Sequence, residues 1–530
     1  MPLRFRRLRS GNARNALLVP LIAGGLLLSG GGTFLVANAL DKDLTATRHG
    51  ANYPINASAL DPADFSSNNS PSVVTNPRDP SNVVVANRVD TPRFSCALHV
   101  SHDGASTWSQ VELPIPRGEQ PKCYAPDLAF SPDGTLRVVY VTLIGRGNVP
   151  HAVWTLSSTD GGTTLSEPTA ALGELAFQVR IAADPADDER LYLTWLQAQQ
   201  TATLAFPETG YPIMIATSSD EGATWSDPRR VSDSSRERVI APTTVAASNG
   251  SIYVLYLDLA DDRLDYHGGH QGLGGPPYDG FWQLILARSD DGGARWEETL
   301  VDGAVVPTER FVVFIPPSPS LAVDAARNRV YVAFHDARAG DSDVWLWASD
   351  DAGEDFARPV RVNSGPLTDG TQQLPQVDVA PNGRVDIVYY DRSRDPADLM
   401  NEVTLSSSID GGETFDVHVD VSDSSFDSRV GFGNDRDMPT LGTRLGLLST
   451  ERRALAIWTD TRQGSKLTRK QDIVRALIQF SELPPLSPGM VTMMRVGGLA
   501  LAAAGVALGA RRIVSTWRLP RITRRRRTEA

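Results

Sequence analysis

The octapeptide Ser101-His-Asp-Gly-Ala-Ser-Thr-Trp108 is the first of six copies of one pattern, in which Ser, Asp, Gly, Thr and an aromatic residue alternate with variable positions. Its chemistry is that of a tight turn: the Asp carboxylate accepts backbone N–H bonds, Gly adopts a backbone conformation that side chains forbid, and the aromatic ring packs between sheets. The six serines are 57, 60, 71, 60 and 59 residues apart, which indicates a structural repeat. The later copies are Ser158–Leu165, Ser218–Trp225, Ser289–Trp296, Ser349–Phe356 and Ser408–Phe415, and the six aspartates are Asp103, Asp160, Asp220, Asp291, Asp351 and Asp410.

Between the octapeptides, short apolar segments alternate with polar turns, a pattern that predicts β-strands. One such unit is Pro375-Gln-Val-Asp-Val, followed by Asn382-Gly383 and then Val385-Asp-Ile-Val-Tyr-Tyr390. The last unit has no octapeptide, so we expect its outermost strand to come from the N-terminal segment, around Tyr53–Ala59, and to close a ring without exposed edges. Seven units are found, and they start near Pro71, Pro126, Gln178, Pro242, Pro319, Pro375 and Pro439.

The octapeptide is the residue pattern of the Asp-box, or BNR, repeat, and residues 71–480 resemble the sialidase-like β-propeller superfamily. The resemblance implies an all-β fold, a β-propeller of four-stranded antiparallel blades. Seven blades fit the seven units, and six, as in sialidases, is the alternative if one unit folds into a neighbour. The resemblance also implies that the boxes lie on one face of the disc. We expect function on the opposite face, where the loops after the second strand of each blade meet.

Sialidases with this fold hydrolyse terminal sialic acid with a tyrosine nucleophile, an assisting glutamate, an aspartic acid–base and three arginines on the substrate carboxylate. An Arg-Ile-Pro segment is expected before the first box, but this chain has Asn87-Arg-Val-Asp-Thr-Pro-Arg93. Tyr389 and Tyr390 lie in a strand whose alternation directs one of them into the core. The resemblance therefore assigns no catalytic residue in this chain.

Acidic residues and arginines recur after the second strand of several units. Converging guanidinium groups suit a carboxylate ligand, and carboxylates there suit sugar hydroxyls or acid–base chemistry. The alternative is that each pair is an inter-blade salt bridge that the repeat requires. These ligand-binding candidates are Asp258, Asp336, Arg338, Asp391, Arg392, Asp460 and Arg462.

The longest interval between boxes contains an insertion, residues 258–280, on the face where we expect function. Its His267 and His270 are further binding candidates that could ligate a cation, and a plain mobile loop is the alternative. Calcium held by Asp258, Asp261, Asp262 or Asp265 is unproven, and the boxes are too short for calcium loops of the EF-hand type. We therefore assign no cofactor and no metal site.

Both ends of the chain are apolar and basic. Residues 1–40 form a signal peptide or an N-terminal membrane anchor, with 25 uncharged residues from Ala16 to Leu40. Residues 41–70 are an N-terminal segment that can close the ring. Residues 481–489 are a linker, 490–510 a transmembrane helix, and 511–530 a basic cytoplasmic tail, as the positive-inside rule requires. Hydrophobic helices are thus expected to flank the propeller, which would lie on the extracytoplasmic side of a membrane, on a bacterial cell surface.

Charge excludes one class of partner. The first 40 residues carry a charge of +5 and residues 489–530 carry +8. Because the whole chain carries −12, residues 41–488 carry −25. So acidic a body repels nucleic acids. Outside the cytoplasm, Cys96 and Cys123, the only two cysteines, are expected to form a disulfide.

Three functions fit this sequence. The first is a membrane-anchored propeller, with a monomeric ectodomain, that binds a glycan or protein ligand on the face opposite its boxes. The second is an exo-glycosidase of the sialidase type acting on terminal anionic sugars. The third is a structural scaffold of a cell-envelope complex.

Overall fold

The computed structural model describes residues 44–56, 65–199, 210–262, 278–308, 318–366, 370–431 and 441–482. The chain divides into two units, residues 46–480, and residues 1–45 together with 481–530. The first unit is an all-β body. Of the second, only residues 44, 45, 481 and 482 are described, and all four are in strand conformation. The predicted flanking helices lie outside the described residues, and none of the described residues forms a helix suited to crossing a bilayer.

The strands form seven separate antiparallel sheets. In chain order they are β1 (Leu44–Pro54), β2 (Asn68–Thr75), β3 (Val83–Val89), β4 (Ser95–Ser101), β5 (Ser109–Val111), β6 (Cys123–Phe130), β7 (Leu136–Ile144), β8 (Val149–Ser158), β9 (Thr169–Leu172), β10 (Ala176–Ala183), β11 (Leu191–Gln197), β12 (Ile213–Ser218), β13 (Arg229–Arg230), β14 (Val239–Ala246), β15 (Ile252–Asp258), β16 (Trp282–Ser289), β17 (Glu297–Val305), β18 (Ser320–Asp324), β19 (Arg329–Asp336), β20 (Asp343–Ser349), β21 (Val360–Arg361), β22 (Gln372–Val379), β23 (Val385–Asp391), β24 (Met400–Ser408), β25 (Val417–Asp420), β26 (Phe426–Asp427), β27 (Gly446–Ser449), β28 (Arg453–Asp460) and β29 (Asp472–Glu482).

Each sheet is one blade of a seven-bladed propeller, which decides between the two blade counts that the sequence left open. Blades one to six take four consecutive strands each, from β2–β5 to β22–β25, and in blade six the short β26 also pairs with β24. Blade seven contains β27, β28 and β29 and takes β1 as its fourth strand. The ring is thus closed by the first and last strands of the described chain, which leaves no blade with a missing strand.

The closing strand is longer and lies earlier in the chain than the segment around Tyr53–Ala59 that the sequence predicted. Its end pairs beside the start of β29, where the Ile55 N–H donates to the Ile473 carbonyl at 2.8 Å. β29 has 11 residues, and a strand must match that length to pair along it. β1 therefore starts at Leu44, and every residue of this strand is exposed or half-buried.

The boxes form the turns between the third and fourth strands of blades one to six. In the first box the Asp103 carboxylate accepts bonds from the backbone N–H of Thr107 at 2.8 Å and from its hydroxyl at 2.6 Å. The Ser101 hydroxyl accepts from the Ala105 N–H at 3.0 Å. The ring of Trp108 packs against a cluster that joins blade one to blade seven, which includes Val83 and Ile457. Each box therefore closes a hairpin and fills the gap between two neighbouring sheets.

Five of the inner strands share an irregularity, which the sequence marks with proline in four of them. In β2, β6, β10, β14 and β22 the pairing with the second strand shifts register at a β-bulge. Each bulge contains a residue in the left-handed conformation, and Gly442 before β27 has it too. Bulges bend a strand and redirect its side chains, so these positions shape the centre of the ring. The left-handed residues are Ser70, Ala125, Gln178, Ala241, Leu374 and Gly442.

The predicted disulfide is confirmed. Cys96 on β4 is bonded to Cys123 on β6, with their Cα atoms 5.7 Å apart. The bond therefore links blade one to blade two.

Candidate functional site: the central channel

The two faces of the propeller are distinguished by their turns. In blade one the box adjoins the turn between the first and second strands, because the Gly104 N–H donates to the Ser81 carbonyl at 2.8 Å. Asn82 in that turn donates to the Gly161 carbonyl of the next box at 3.0 Å. The loops after the second strands lie on the other face, which we call the box-free face. The inner strands and their bulges begin at this face.

Asp336 and Arg338, predicted as ligand-binding candidates, are paired with each other. Arg338 Nη2 lies 2.5 Å from the fully buried Asp336 carboxylate and 2.9 Å from that of Asp302 on β17. Burial raises the pKa of Asp336, although Arg338 donates to it. The guanidinium group also lies against the rings of Trp345 and Trp347. Arg338 thus joins blade five to blade four.

Arg462 has the same arrangement at the junction of blades six and seven. Its Nη2 lies 2.8 Å from the Asp460 carboxylate, and its Nη1 contacts Asp423, which follows the outer strand of blade six. The inter-blade salt bridge that the sequence offered as an alternative is therefore present for both Arg338 and Arg462.

Asp391 and Arg392 bond to different partners. Arg392 donates to the Asn401 side chain at 3.1 Å and to the Ser428 hydroxyl at 2.9 Å, and burial lowers its pKa. Asp391 accepts from Gln372 at 3.1 Å and from the Ser393 N–H. The bonds of both residues therefore connect strands and loops within blade six.

Asp258 belongs to a network at the outer part of blade four. Its carboxylate lies 2.9 Å from Arg236 Nη1, and Arg236 Nε lies 2.8 Å from Glu298. Tyr256 also donates to Glu298, and burial raises the pKa of this tyrosine. His267 and His270 lie outside the described residues, as does Asp265. The described part of the chain contains no group of three or more acidic, histidine or cysteine residues arranged to hold a metal ion.

The described candidates do not line the two cavities at the centre of the ring. Those cavities are lined instead by the inner strands. The side chain two residues after each left-handed position lines the deeper cavity, and we call this set the channel ring. Its members are Ser72, Asp127, Arg180, Thr243, Gln376 and Arg444.

The channel ring contains two cations and one anion. Arg444 Nη1 lies 3.3 Å from Asp127 Oδ1, and Arg180 Nη1 lies 4.0 Å from the same oxygen. These three residues come from blades seven, two and three. The two guanidinium groups therefore share one carboxylate inside a body of strongly negative net charge, and the channel has an excess of positive charge.

Backbone carbonyls freed by the bulges hold both arginines in place. Arg444 donates to the Pro126 carbonyl at 2.8 Å and to the Pro71 carbonyl at 3.1 Å. Arg180 donates to the Pro242 carbonyl at 3.2 Å and to the Ser318 hydroxyl at 3.0 Å. Because the bonding partners other than Asp127 are neutral, they orient the cations without cancelling their charge.

The second cavity lies at the opening of the channel on the box-free face, where Arg88 and Tyr124 join Arg180 and Arg444. Arg88 Nε lies 2.7 Å from the Asp90 carboxylate, and its Nη1 donates to the Tyr124 hydroxyl at 3.3 Å. Burial raises the pKa of Tyr124. This tyrosine is therefore a neutral hydrogen-bonding group at ordinary pH. The deeper cavity has a volume of about 140 Å³, roughly ten times what one water needs.

Sequence reasoning did not single out Asp127, Arg180 or Arg444. Asp127 directly follows Pro126, one of the prolines that mark the start of a unit, and Ser72, Thr243 and Gln376 follow the corresponding prolines. The residue after the unit proline is thus a usable sequence signal. Arg180 and Arg444 follow Val179 and Thr443 instead, so their units carry no proline at this point.

Comparisons with known proteins agree with the fold. The family model of the BNR repeat-like domain matches residues 179–431. No curated protein matches the chain significantly. With seven blades and six boxes, the described part of the chain is a β-propeller, and its residues 179–431 are similar to the BNR repeat-like domain.

Three solved structures are similar to the chain at low sequence identity. A Dyadobacter fermentans protein of unknown function is 15% identical, with a TM-score of 0.45 over 82% of this chain and 99% of that one. A Penicillium chrysogenum α-L-arabinanase complexed with arabinobiose is 13% identical, with a TM-score of 0.44 over 82% of this chain and 98% of that one. A Hadza microbial sialidase is 14% identical, with a TM-score of 0.38 over 77% of this chain and 75% of that one.

Proposed function

We propose that this protein is a membrane-tethered, extracytoplasmic propeller that binds an anionic glycan at the central channel on its box-free face. The observation that carries the proposal is that Arg180 and Arg444 share the single carboxylate of Asp127 while both line the cavity. A second carboxylate, supplied by a ligand, would complete the charge balance. Arginine favours such a ligand because its planar donor groups match a carboxylate in a bidentate geometry.

The rest of the channel suits a sugar. Hydroxyl and amide side chains of Ser72, Thr243 and Gln376 line the cavity beside the charged residues. Such groups donate to and accept from sugar hydroxyls. The anionic group of the ligand would thus contact the arginines, and its hydroxyls would contact the neutral members of the channel ring.

Hydrolysis of the sialidase type has less support than binding. A sialidase needs a tyrosine nucleophile with an assisting glutamate. The Tyr256–Glu298 contact is a pair of this kind, but Tyr256 is fully buried and neither residue lines the channel cavities. Tyr124 does line the opening, but burial raises its pKa, which opposes formation of a nucleophilic phenolate.

The membrane tether is supported by the sequence outside the described residues. Residues 490–510 are apolar and are followed by a cluster of arginines, which is typical of a helix that stops in the membrane with its basic end in the cytoplasm. Tethering would hold the channel outside the cell, where glycans are found.

The test is calorimetric titration of the protein with sialyllactose and with lactose, a pair that differs by one carboxylated sugar. We expect sialyllactose to bind and lactose to bind at least tenfold more weakly. Arg444→Gln should weaken sialyllactose binding at least tenfold. The matched control is Arg394→Gln, which removes an arginine with a 60% exposed side chain in blade six, away from the channel. Equal binding of the two sugars, or equal behaviour of the two variants, would contradict the proposal, and release of free lactose from sialyllactose would favour hydrolysis.

A further inference from the structure

The chain leaves the propeller from β29, the third strand of blade seven, at the box side of the blade. Gln479 on β29 pairs with Arg453, the first residue of β28, and the Phe480 N–H donates to the Arg452 carbonyl at 2.9 Å. Arg452 lies in the turn between the first and second strands of its blade. This kind of turn adjoins the boxes, because in blade five the N–H of Ala352, in the box, donates to the carbonyl of Asn328, in the turn, at 2.9 Å.

The other end of β29 lies at the box-free face. Asp472 pairs there with Asp460, the last residue of the second strand. β1 runs antiparallel to β29, since Ile55 bonds to Ile473 and the Tyr53 ring lies 4.1 Å from the guanidinium group of Arg475. The early part of β1 therefore also points to the box side, next to the end of β29.

We propose that the box face of the propeller faces the lipid surface and that the channel opening faces away from it. This inference rests on the membrane tether of the proposed function. It adds that blade seven carries the tether and that the ligand approaches from the side opposite the membrane. It holds whether or not residues 1–40 are cleaved, because β29 alone places the C-terminal connection on the box side.

Length supports this orientation. Because β29 ends at Glu482, seven residues of the predicted linker, 483–489, remain before the predicted helix, and they span at most about 25 Å when fully extended. The eight residues of β28 make the blade about 26 Å tall. To turn the box-free face to the membrane, the linker would have to run along the whole blade edge in an extended form. With the box face toward the membrane, no such stretching is needed.

Charge keeps this face from adhering to lipid. Each box contributes an aspartate whose pKa is lowered, for Asp103 and Asp160 to about 2, chiefly because a threonine hydroxyl donates to the carboxylate. These groups are ionised at neutral pH and are repelled by anionic headgroups. The tether, and not binding of lipid by the box face, thus keeps this face near the membrane.

The test uses the full chain in vesicles of phosphatidylcholine that contain a fluorescent acceptor lipid. Both native cysteines form the disulfide, so an introduced cysteine is the single labelling site. Glu354→Cys places a donor fluorophore in the fifth box, and Glu174→Cys places it on the box-free face, between β9 and β10. Both replace an exposed glutamate, with side-chain exposures of 75% and 65%, so the pair is matched in charge.

We expect energy transfer to the lipid acceptor to be at least twofold more efficient from position 354 than from position 174. Equal transfer, or stronger transfer from position 174, would overturn the orientation while leaving the tether intact. If the protein elutes apart from the vesicles and neither label transfers energy, the tether itself is wrong and the orientation is overturned with it. Thermal unfolding of both labelled variants checks that each is folded.

Discussion

Arg444 and Asp127 face each other across the central channel, with 3.3 Å between the guanidinium Nη1 and the carboxylate Oδ1, although 317 positions separate them in the chain. Asp127 follows the bulge of blade two, and Arg444 lies just before the inner strand of blade seven. Closure of the ring brings them together. This pair, with Arg180, determines the charge of the channel and therefore the kind of ligand that the channel can bind.

Replacing Asp127 tests the charge balance of the channel by removing its anion instead of a cation. Asp127→Asn removes the only carboxylate of the channel ring, so the two arginines should bind an anionic sugar more tightly. We expect sialyllactose affinity, measured by calorimetry, to rise by about threefold to tenfold, which corresponds to about 0.7–1.4 kcal/mol. Asp420→Asn, at the exposed edge of blade six, is the control and should leave affinity unchanged. A fall in affinity with an unchanged unfolding temperature would mean that Asp127 itself contacts the ligand.

Breaking the junction between blades four and five should destabilise the protein. Asp336 is fully buried, so Asp336→Asn leaves Arg338 with Asp302 as its one charged partner. We expect the free energy of unfolding to fall by about 2–4 kcal/mol, as when one partner of a buried pair is removed. Urea denaturation followed by tryptophan fluorescence measures the change. Arg394→Gln removes an exposed arginine that pairs with Glu402 and Asp420, and it should cost less than about 1 kcal/mol. Similar losses for the two variants would argue against a structural role for Asp336.

Stability should fall in weak acid because of buried histidines. Burial lowers the pKa of His99 and of His335 to about 3, whereas an unfolded histidine titrates near 6.5. Below pH 6.5 the unfolded chain therefore binds protons that the folded protein does not, and stability declines progressively towards pH 3. At pH 5 the loss is about 2 kcal/mol for each histidine.

His99→Gln tests this origin of the pH dependence. His99 contacts the Asn87 side chain at 2.9 Å, and glutamine keeps a side-chain donor. Unfolding in guanidinium chloride at pH 7.5 and pH 5 should show a smaller difference for this variant than for the unmodified protein. His49→Gln, at an exposed position on β1, should keep the full difference. An undiminished difference in His99→Gln would assign the effect to other groups.

The box aspartates should contribute in stronger acid. The pKa of Asp103 is lowered to about 2, mainly because the Thr107 hydroxyl and N–H donate to its carboxylate. Its stabilising effect is complete above about pH 4, the ordinary value of the unfolded chain, and is lost as the pH falls through 2. Asp103→Asn should lower the thermal unfolding midpoint at pH 7 by about 2 °C. Between about pH 4 and pH 2, the midpoint of this variant should change less with pH than that of the unmodified protein. Asp188→Asn, an exposed aspartate outside the boxes, should leave both quantities unchanged.

Much of the fold could be predicted because each box carries its own turn chemistry within eight residues. Ser101, Asp103 and Thr107 bond to one another wherever the rest of the chain lies, so the pattern is visible without tertiary information. The acid–arginine pairs after the second strands were also visible. The direction of these side chains could not be predicted, because a side chain at a strand end can bond to the neighbouring blade, as Arg338 does, or point to the channel.

The repeat, the strand order within each blade and the disulfide partners could be predicted without coordinates, because these depend on residues that are close in the chain or on a choice between only two cysteines. The start of β1 at Leu44 and the meeting of Asp127, Arg180 and Arg444 could not, because the channel exists only when seven blades close into a ring. Its charge is the sum of single side chains from distant blades, each placed there by a bulge in its own inner strand.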